Sequence, residues 1–140
     1  YHSDMTRTYL IGQVAPELTE IHDLVLCAQR EGVLAVRPGV SGSSIDEVCR
    51  SIIAEAGYGP DFIHGTGHGV GLQIHEMPWV RSDFMEPLQC GEVVTVEPGV
   101  YRVGVGGVRI EDLILVTATS SQTLTLSQKE SLCLPSRRMI

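Results

Sequence analysis

The chain has 140 residues, enough for one domain and too few for two, and 43% of them are hydrophobic, which excludes a disordered chain. Lys+Arg number 10 against 17 Asp+Glu, and the net charge of −7 argues against a nucleic-acid phosphate backbone as partner. No apolar run approaches the roughly 18 residues of a membrane span, and there is no signal-peptide layout; the chain opens on Tyr1, as a piece of something larger would.

Residues 1–12 carry Thr6, Thr8, Tyr9, Leu10 and Ile11 and end at Gly12, which predicts a strand. Pro16 opens a helix with Glu17 and Glu20 in its first turn, where the positive end of the helix dipole favours acids. Leu18, Ile21, Leu24, Val25, Ala28 and Gly32 form its predicted buried stripe, and Pro38-Gly39 stops it. Ser44-x-x-Glu47 reads as a capping box for a second helix. Ile45, Val48, Cys49, Ile52, Ile53 and Ala56 are its inner face, and Gly57 follows its end. Residues 58–78 read as a glycine- and histidine-rich loop. Strands are predicted over Glu92–Glu97 and Val108–Val116, a brief last strand within Thr117–Ser127, and a frayed tail over Ser136–Ile140. The coarse order is β-α-α-β-β-β. Cys27, Cys49, Cys90 and Cys133 lie too far apart for a zinc knuckle or a redox pair, so all four read as reduced and structural, which favours a cytoplasmic protein.

The chemistry concentrates in three places. His64-Gly65-Thr66-Gly67-His68-Gly69-Val70-Gly71, followed by His75-Glu76-Met77-Pro78, places three of the five histidines within 12 residues. Glycines let a backbone approach a ligand closely, and imidazoles bind metals or carry protons. Glu97 ends an apolar strand, and Glu111 is embedded in another. The plain alternative for Glu111 is a side-by-side pair with Arg109. If the two strands are antiparallel neighbours, the carboxylates face each other and repel unless a cation sits between them. His68 adds an imidazole and Asp4 another oxygen. Such a set suits a hard or borderline divalent ion such as Mn²⁺, and several carboxylates with few histidines favour two ions sharing bridging oxygens and activating a bridging water.

Together with Tyr1-His2-Ser3-Asp4-Met5-Thr6-Arg7-Thr8, Glu97-Pro98-Gly99-Val100-Tyr101 and Gly107-Val108-Arg109-Ile110-Glu111-Asp112, these motifs resemble, in order, those of the pita-bread metallopeptidases. The branch most similar is that of Xaa-Pro dipeptidase (prolidase) and aminopeptidase P, and the resemblance spans Tyr1 to about Val116. It implies an α+β fold, the C-terminal part of the pita-bread domain, with a curved antiparallel sheet covered by helices. It also implies a site of two divalent ions, Mn²⁺ first, with Co²⁺ or Zn²⁺ as alternatives. Asp4 then matches a bridging aspartate, His68 and Glu97 ligands of one ion, and Glu111 a second bridge. His75 matches the histidine that hydrogen-bonds the scissile peptide, His64 one lining the proline pocket, and Arg109 an arginine behind the bridging carboxylates. The implied reaction is hydrolysis of Xaa-Pro bonds by the bridging water, with Glu97 accepting its proton and His75 stabilising the oxyanion.

The family's first aspartate and N-terminal half fall outside these residues, so residues 1–140 are expected to be one partial catalytic domain, inactive alone. Its expected partners are peptides with proline in second position and, within the assembly, a further copy or the missing N-terminal portion; neither nucleic acid nor membrane is expected. Competing readings are a non-catalytic pita-bread scaffold that binds other molecules, a creatinase-like hydrolase and a methionine-aminopeptidase-like hydrolase. Retention of all four ligands argues against the first.

Overall fold

The computed structural model describes residues 1–130. Helices α1 (Pro16–Ala35) and α2 (Gly42–Glu55) and a 3-10 turn, Gly59–Asp61, are followed by strands β1 (Gly67–Gly69), β2 (Glu76–Val80), β3 (Val93–Val96), β4 (Gly99–Arg102), β5 (Gly106–Arg109), β6 (Asp112–Val116) and β7 (Ser121–Thr123). Five strands form an antiparallel sheet in the order β2-β1-β3-β6-β7, and β4 and β5 form a separate hairpin.

Pro16 begins α1 where a backbone N–H would have no helical partner, and Glu17 sits in the first turn. The inner face holds Ile21, Val25, Leu26, Ala28 and Gly32, but also His22 and Gln29, while Leu18 and Leu24 of the predicted stripe are only half-buried. Both polar side chains have partners, His22 through one nitrogen: its Nε2 lies 3.1 Å from the Thr8 carbonyl while Nδ1 has no hydrogen-bond partner among the described residues, and Gln29 Nε2 donates to Asp112 at 2.9 Å. A hydrogen-bonded polar group can be buried at little cost. Gly32 lets α1 approach its neighbours, since a Cβ there would stand 2.9 Å from Val96 Cγ1.

Helix α2 starts earlier than its sequence signature. Ser41, in extended backbone, is the cap, and its hydroxyl accepts the Ser44 N–H at 3.2 Å. Glu47 instead accepts from Ser51. Three serines compete for the cap, and the backbone conformation at Ser41 decides among them. Ile45, Cys49 and Ile53 are buried, Val48 and Ile52 half-buried and Ala56 exposed; Gly57 follows at φ +89°. The core joins these side chains to Ile21, Val25, Val94, Val96, Ile110 and Ile114.

Three strand predictions change. Residues 1–12 make isolated bridges, among them Thr6 with Glu111, instead of a ladder, and threonine side chains take over part of the pairing: Thr8 Oγ1 accepts from Arg109 N at 3.2 Å and donates to Arg109 O at 2.9 Å. Val108–Val116 divides at Ile110 and Glu111, where the chain passes from the hairpin to the main sheet. The predicted loop over 58–78 contains β1 and the start of β2. Gly67 and Gly69 make that possible, since a Cβ on either would overlap a carbonyl oxygen, that of Thr95 or that of Met77. The glycines that mimic a loop signal are those that let β1 fit between its neighbours.

Cys49 is buried, its Sγ–H pointing at the Ala28 carbonyl 3.3 Å away, and burial pushes its thiol up to about 12. Cys27 and Cys90 are free but exposed, so Cys27 is not a core residue. Cys133 and the tail Ser136–Ile140 lie outside the described residues.

Candidate metal centre

Strands β3 and β6 pair in the register Val96 with Asp112, so the next residues, Glu97 and Glu111, face each other at the end of the ladder. Pro98 follows Glu97, and the Glu97 N–H turns to the Thr66 carbonyl at 2.7 Å. Strand β1 lies beside β3 and carries His68, whose Nε2 is 3.1 Å from Glu97 Oε1 and 3.7 Å from Asp4 Oδ2. Asp4 arrives on the N-terminal segment, ahead of the Thr6 bridge. Two donor groups result, with His68 common to both: His68, Glu97 and Glu111, and Asp4, His68 and His75, each with ligand atoms within 4.8 Å of one another.

His68 Nδ1 lies 3.0 Å from the Gly69 carbonyl, which can only accept, so Nδ1 carries a proton and Nε2 faces the carboxylates. Burial works against charge on His68, but the Glu97 hydrogen bond and charge raise its pKa above the usual imidazole value. Burial likewise opposes ionisation of Glu97, yet the His68 contact holds it below the usual carboxylate range. Glu111 goes the other way: burial, then the charges of Glu97 and Asp4, push it up to about 7 despite a hydrogen bond from Thr6.

The residues fit a cation. Glu111 is 2% exposed, its Oε2 accepts from the Thr6 hydroxyl, and its Oε1 is buried without any hydrogen-bond partner among the described residues. An orphaned carboxylate oxygen costs on the order of 1–3 kcal/mol or more, and a cation shared with Glu97, His68 and Asp4 removes that penalty.

Arg109 is not paired directly with Glu111. Its Nε donates to Thr6 Oγ1 at 3.1 Å and stands 3.9 Å from Glu97 Oε2, so Thr6 links the arginine to Glu111. His64 belongs to the same network. Its Nδ1 lies 2.7 Å from the Gly65 carbonyl, so that nitrogen is the donor, and Nε2 then accepts from Tyr101 at 2.8 Å. Tyr101 in turn accepts from Arg109 Nη1 at 3.4 Å. In this tautomer the His64 ring has both nitrogens engaged. A cavity of about 290 Å³ opens here, lined by His64, Gly65, Gly67, His68, His75, Trp79, Arg81, Glu97 and Arg109. The rings of His68 and His75 meet edge-on at 4.3 Å, with His75 the more exposed.

Five of the seven predicted site residues line this cavity, and Asp4 and Glu111 stand beside them in the two donor groups that share His68. Sequence reasoning did not single out Thr6, Tyr101, Trp79 or Arg81. Thr6 and Tyr101 lie within quoted motifs, but nothing in their spacing shows that their hydroxyls connect two charged groups. It also passed over Asp112, which points away from Glu111 because successive strand residues alternate faces. Asp112 is 1% exposed and binds Arg7 at 2.7 Å, Lys129 at 2.6 Å and Gln29 at 2.9 Å.

The Xaa-Pro dipeptidase of Pyrococcus horikoshii is 45% identical over 130 residues, covering 93% of this chain and 37% of the relative. The solved Xaa-Pro dipeptidase of Bacillus anthracis superposes with a TM-score of 0.92 at 46% identity, over 94% of this chain and 37% of that one. The X-Pro aminopeptidase of Thermotoga maritima gives 0.88 at 37% identity, over 95% and 37%. The chain thus spans little more than a third of the length of the relatives it matches, and its fold is that of the pita-bread peptidases. The sequence profile described as Metallopeptidase family M24 matches residues 1–118, and the chain belongs to that family.

Proposed function

We propose that this chain forms the metal-binding part of an exopeptidase that hydrolyses Xaa-Pro bonds in dipeptides or at peptide N-termini. The observation that carries the reading is the facing pair Glu97 and Glu111, with His68 and Asp4 beside them and one Glu111 oxygen without a hydrogen-bond partner among the described residues. The relatives named as Xaa-Pro dipeptidases support the substrate class. Asp4, His68, Glu97 and Glu111 would hold two divalent ions, Mn²⁺ first given the oxygen-rich set, which when bound lower the pKa of a water and polarise the scissile carbonyl.

The chain's own side chains do the rest. Glu97, kept ionised by His68 and opening onto the cavity, takes the proton of the attacking water. His75 lines the same cavity and donates a hydrogen bond to the developing oxyanion. His64, its nitrogens already engaged, offers its ring as a wall, which suits an imide nitrogen that has no N–H to be satisfied. Arg109 and Tyr101 fix that wall and, through Thr6, the orientation of Glu111.

The test is Glu97→Gln in the Mn²⁺-loaded holoenzyme, assayed on an Ala-Pro dipeptide. The variant is expected to keep its circular dichroism spectrum and lose turnover by at least about a hundredfold, as expected for a general base. Wild-type turnover in the variant rules the assignment out.

A further inference from the structure

Helix α2 carries a further buried acid, Asp46, bonded to the segment that lines the cavity with His64 and Gly65. Asp46 is 0% exposed, and among the described residues its donors come from Arg50 and Thr66. Its Oδ1 accepts from Thr66 N at 3.0 Å, Thr66 Oγ1 at 2.9 Å and Arg50 Nη2 at 3.0 Å, and its Oδ2 from Arg50 Nε at 2.9 Å. Residues 46 and 50 stand one turn apart on a single helix face. Arg50 also reaches outward: Nη1 donates to the Phe62 carbonyl at 3.0 Å and Nη2 to the His64 carbonyl at 2.9 Å. Its guanidinium lies 4.3 Å over the Phe62 ring, and that ring meets His64 edge-on at 5.2 Å.

Residues 62–66 have no regular secondary structure, so no ladder fixes them. Their backbone is held at Phe62, His64 and Thr66 by two side chains of α2. The same segment ends at the Thr66 carbonyl that receives the Glu97 N–H. A segment held this way delivers His64 to Tyr101, whose 2.8 Å hydrogen bond needs the ring in one place and one tautomer.

We infer that Asp46 and Arg50 are positioning residues for His64: they set the location and tautomer of its ring, and so the shape of the wall against which the residue after the scissile bond packs. The substrate consequence rests on the proposed peptidase reading; the geometric one does not. Lysine is a poor substitute for Arg50, because a point charge can pair with Asp46 but cannot span the carboxylate and two carbonyls with a planar fork. Replacement by lysine therefore separates the local ion pair from the positioning.

The experiment is Arg50→Lys, read by the side-chain ¹⁵N resonances of His64 in the diamagnetic Zn²⁺-loaded holoenzyme, and by melting temperature and by kcat and KM on an Ala-Pro dipeptide in the Mn²⁺-loaded one. The expected result is a near-wild-type melting temperature, loss of the single Nδ1–H signature of His64, and a KM raised roughly tenfold with kcat little changed, the mark of weakened binding in ground and transition state alike. A wild-type His64 signature overturns the inference whatever KM does, and a changed signature with unchanged KM overturns the role in substrate fit. Where Arg50→Lys does not fold, Asp46→Asn is read by the same criteria. Should the wild-type holoenzyme leave Ala-Pro intact, the peptidase reading fails while the His64 signature still decides the positioning.

Discussion

Glu111 holds a proton more tightly in the folded chain than in the unfolded one, because burial and the carboxylates of Glu97 and Asp4 push it up to about 7 from 4.5. A raised carboxylate stabilises the fold fully below its unfolded value and loses that contribution as pH rises through its folded one. His68, raised above 6.5, also loses its contribution as pH rises. The metal-free chain is therefore expected to become less stable between about pH 4.5 and 7, a slope opposite to that of Glu97, whose lowered pKa acts only at more acidic pH. Glu111→Gln should flatten this slope and stabilise the metal-free fold at neutral pH while weakening Mn²⁺ uptake. Thermal melts across that pH range and calorimetric titration with Mn²⁺ check both, and a variant with the wild-type slope contradicts the assignment of this titration to Glu111.

At the scale of elements, the site depends on how closely β1 lies to β3. Gly67 leaves no room for a Cβ beside the Thr95 carbonyl, and His68, the next residue, donates its backbone N–H to Thr95 Oγ1 at 3.0 Å. Gly67→Ala should separate the strands at a cost of roughly 1–3 kcal/mol, as overpacking does. It should also move the His68 ring away from Glu97. A lowered denaturant midpoint together with weaker Mn²⁺ binding is the expected pair of results; a lowered midpoint with unchanged binding shows that His68 does not depend on this contact. The elements legible in the sequence are those with long periodic signals. The start of α1 at Pro16, strand β3 and the glycine after α2 follow from spacing alone. β1 is hidden because three residues, two of them glycine, have no alternation to read, β2 because Pro78 interrupts it, and the opening segment because part of its pairing runs through side chains.

Across the whole molecule, Asp112 ties together parts far apart in sequence. Arg7 joins it from the segment bearing Asp4, Gln29 from α1 and Lys129 from beyond β7, while Arg7 also donates to the Glu111 and Ser127 carbonyls. Burial opposes its charge, but the Lys129, Arg7 and Gln29 hydrogen bonds lower its pKa, so its contribution is present above 3.8 and is lost as pH falls through the folded value. Asp112→Ala leaves Arg7 without its carboxylate partner and should cost roughly 3–5 kcal/mol at neutral pH, measured by chemical denaturation. Loss of less than about 1 kcal/mol would show that the network is not a fastening.

By itself, the sequence determined which chemistry is present: acids ending apolar strands, histidines among glycines, and motifs in the order of one peptidase family. A carboxylate in an apolar run needs a partner wherever the run folds, so its exceptional character is visible locally. Tertiary structure alone decided the partners. The antiparallel register brings Glu97 opposite Glu111, Thr6 comes between Arg109 and Glu111, Tyr101 fixes His64, and Arg50 holds the segment that carries it. These contacts join residues up to 105 positions apart, and no local spacing encodes them, because hydrogen-bond partners across a sheet are chosen by register and packing and not by neighbourhood in the chain.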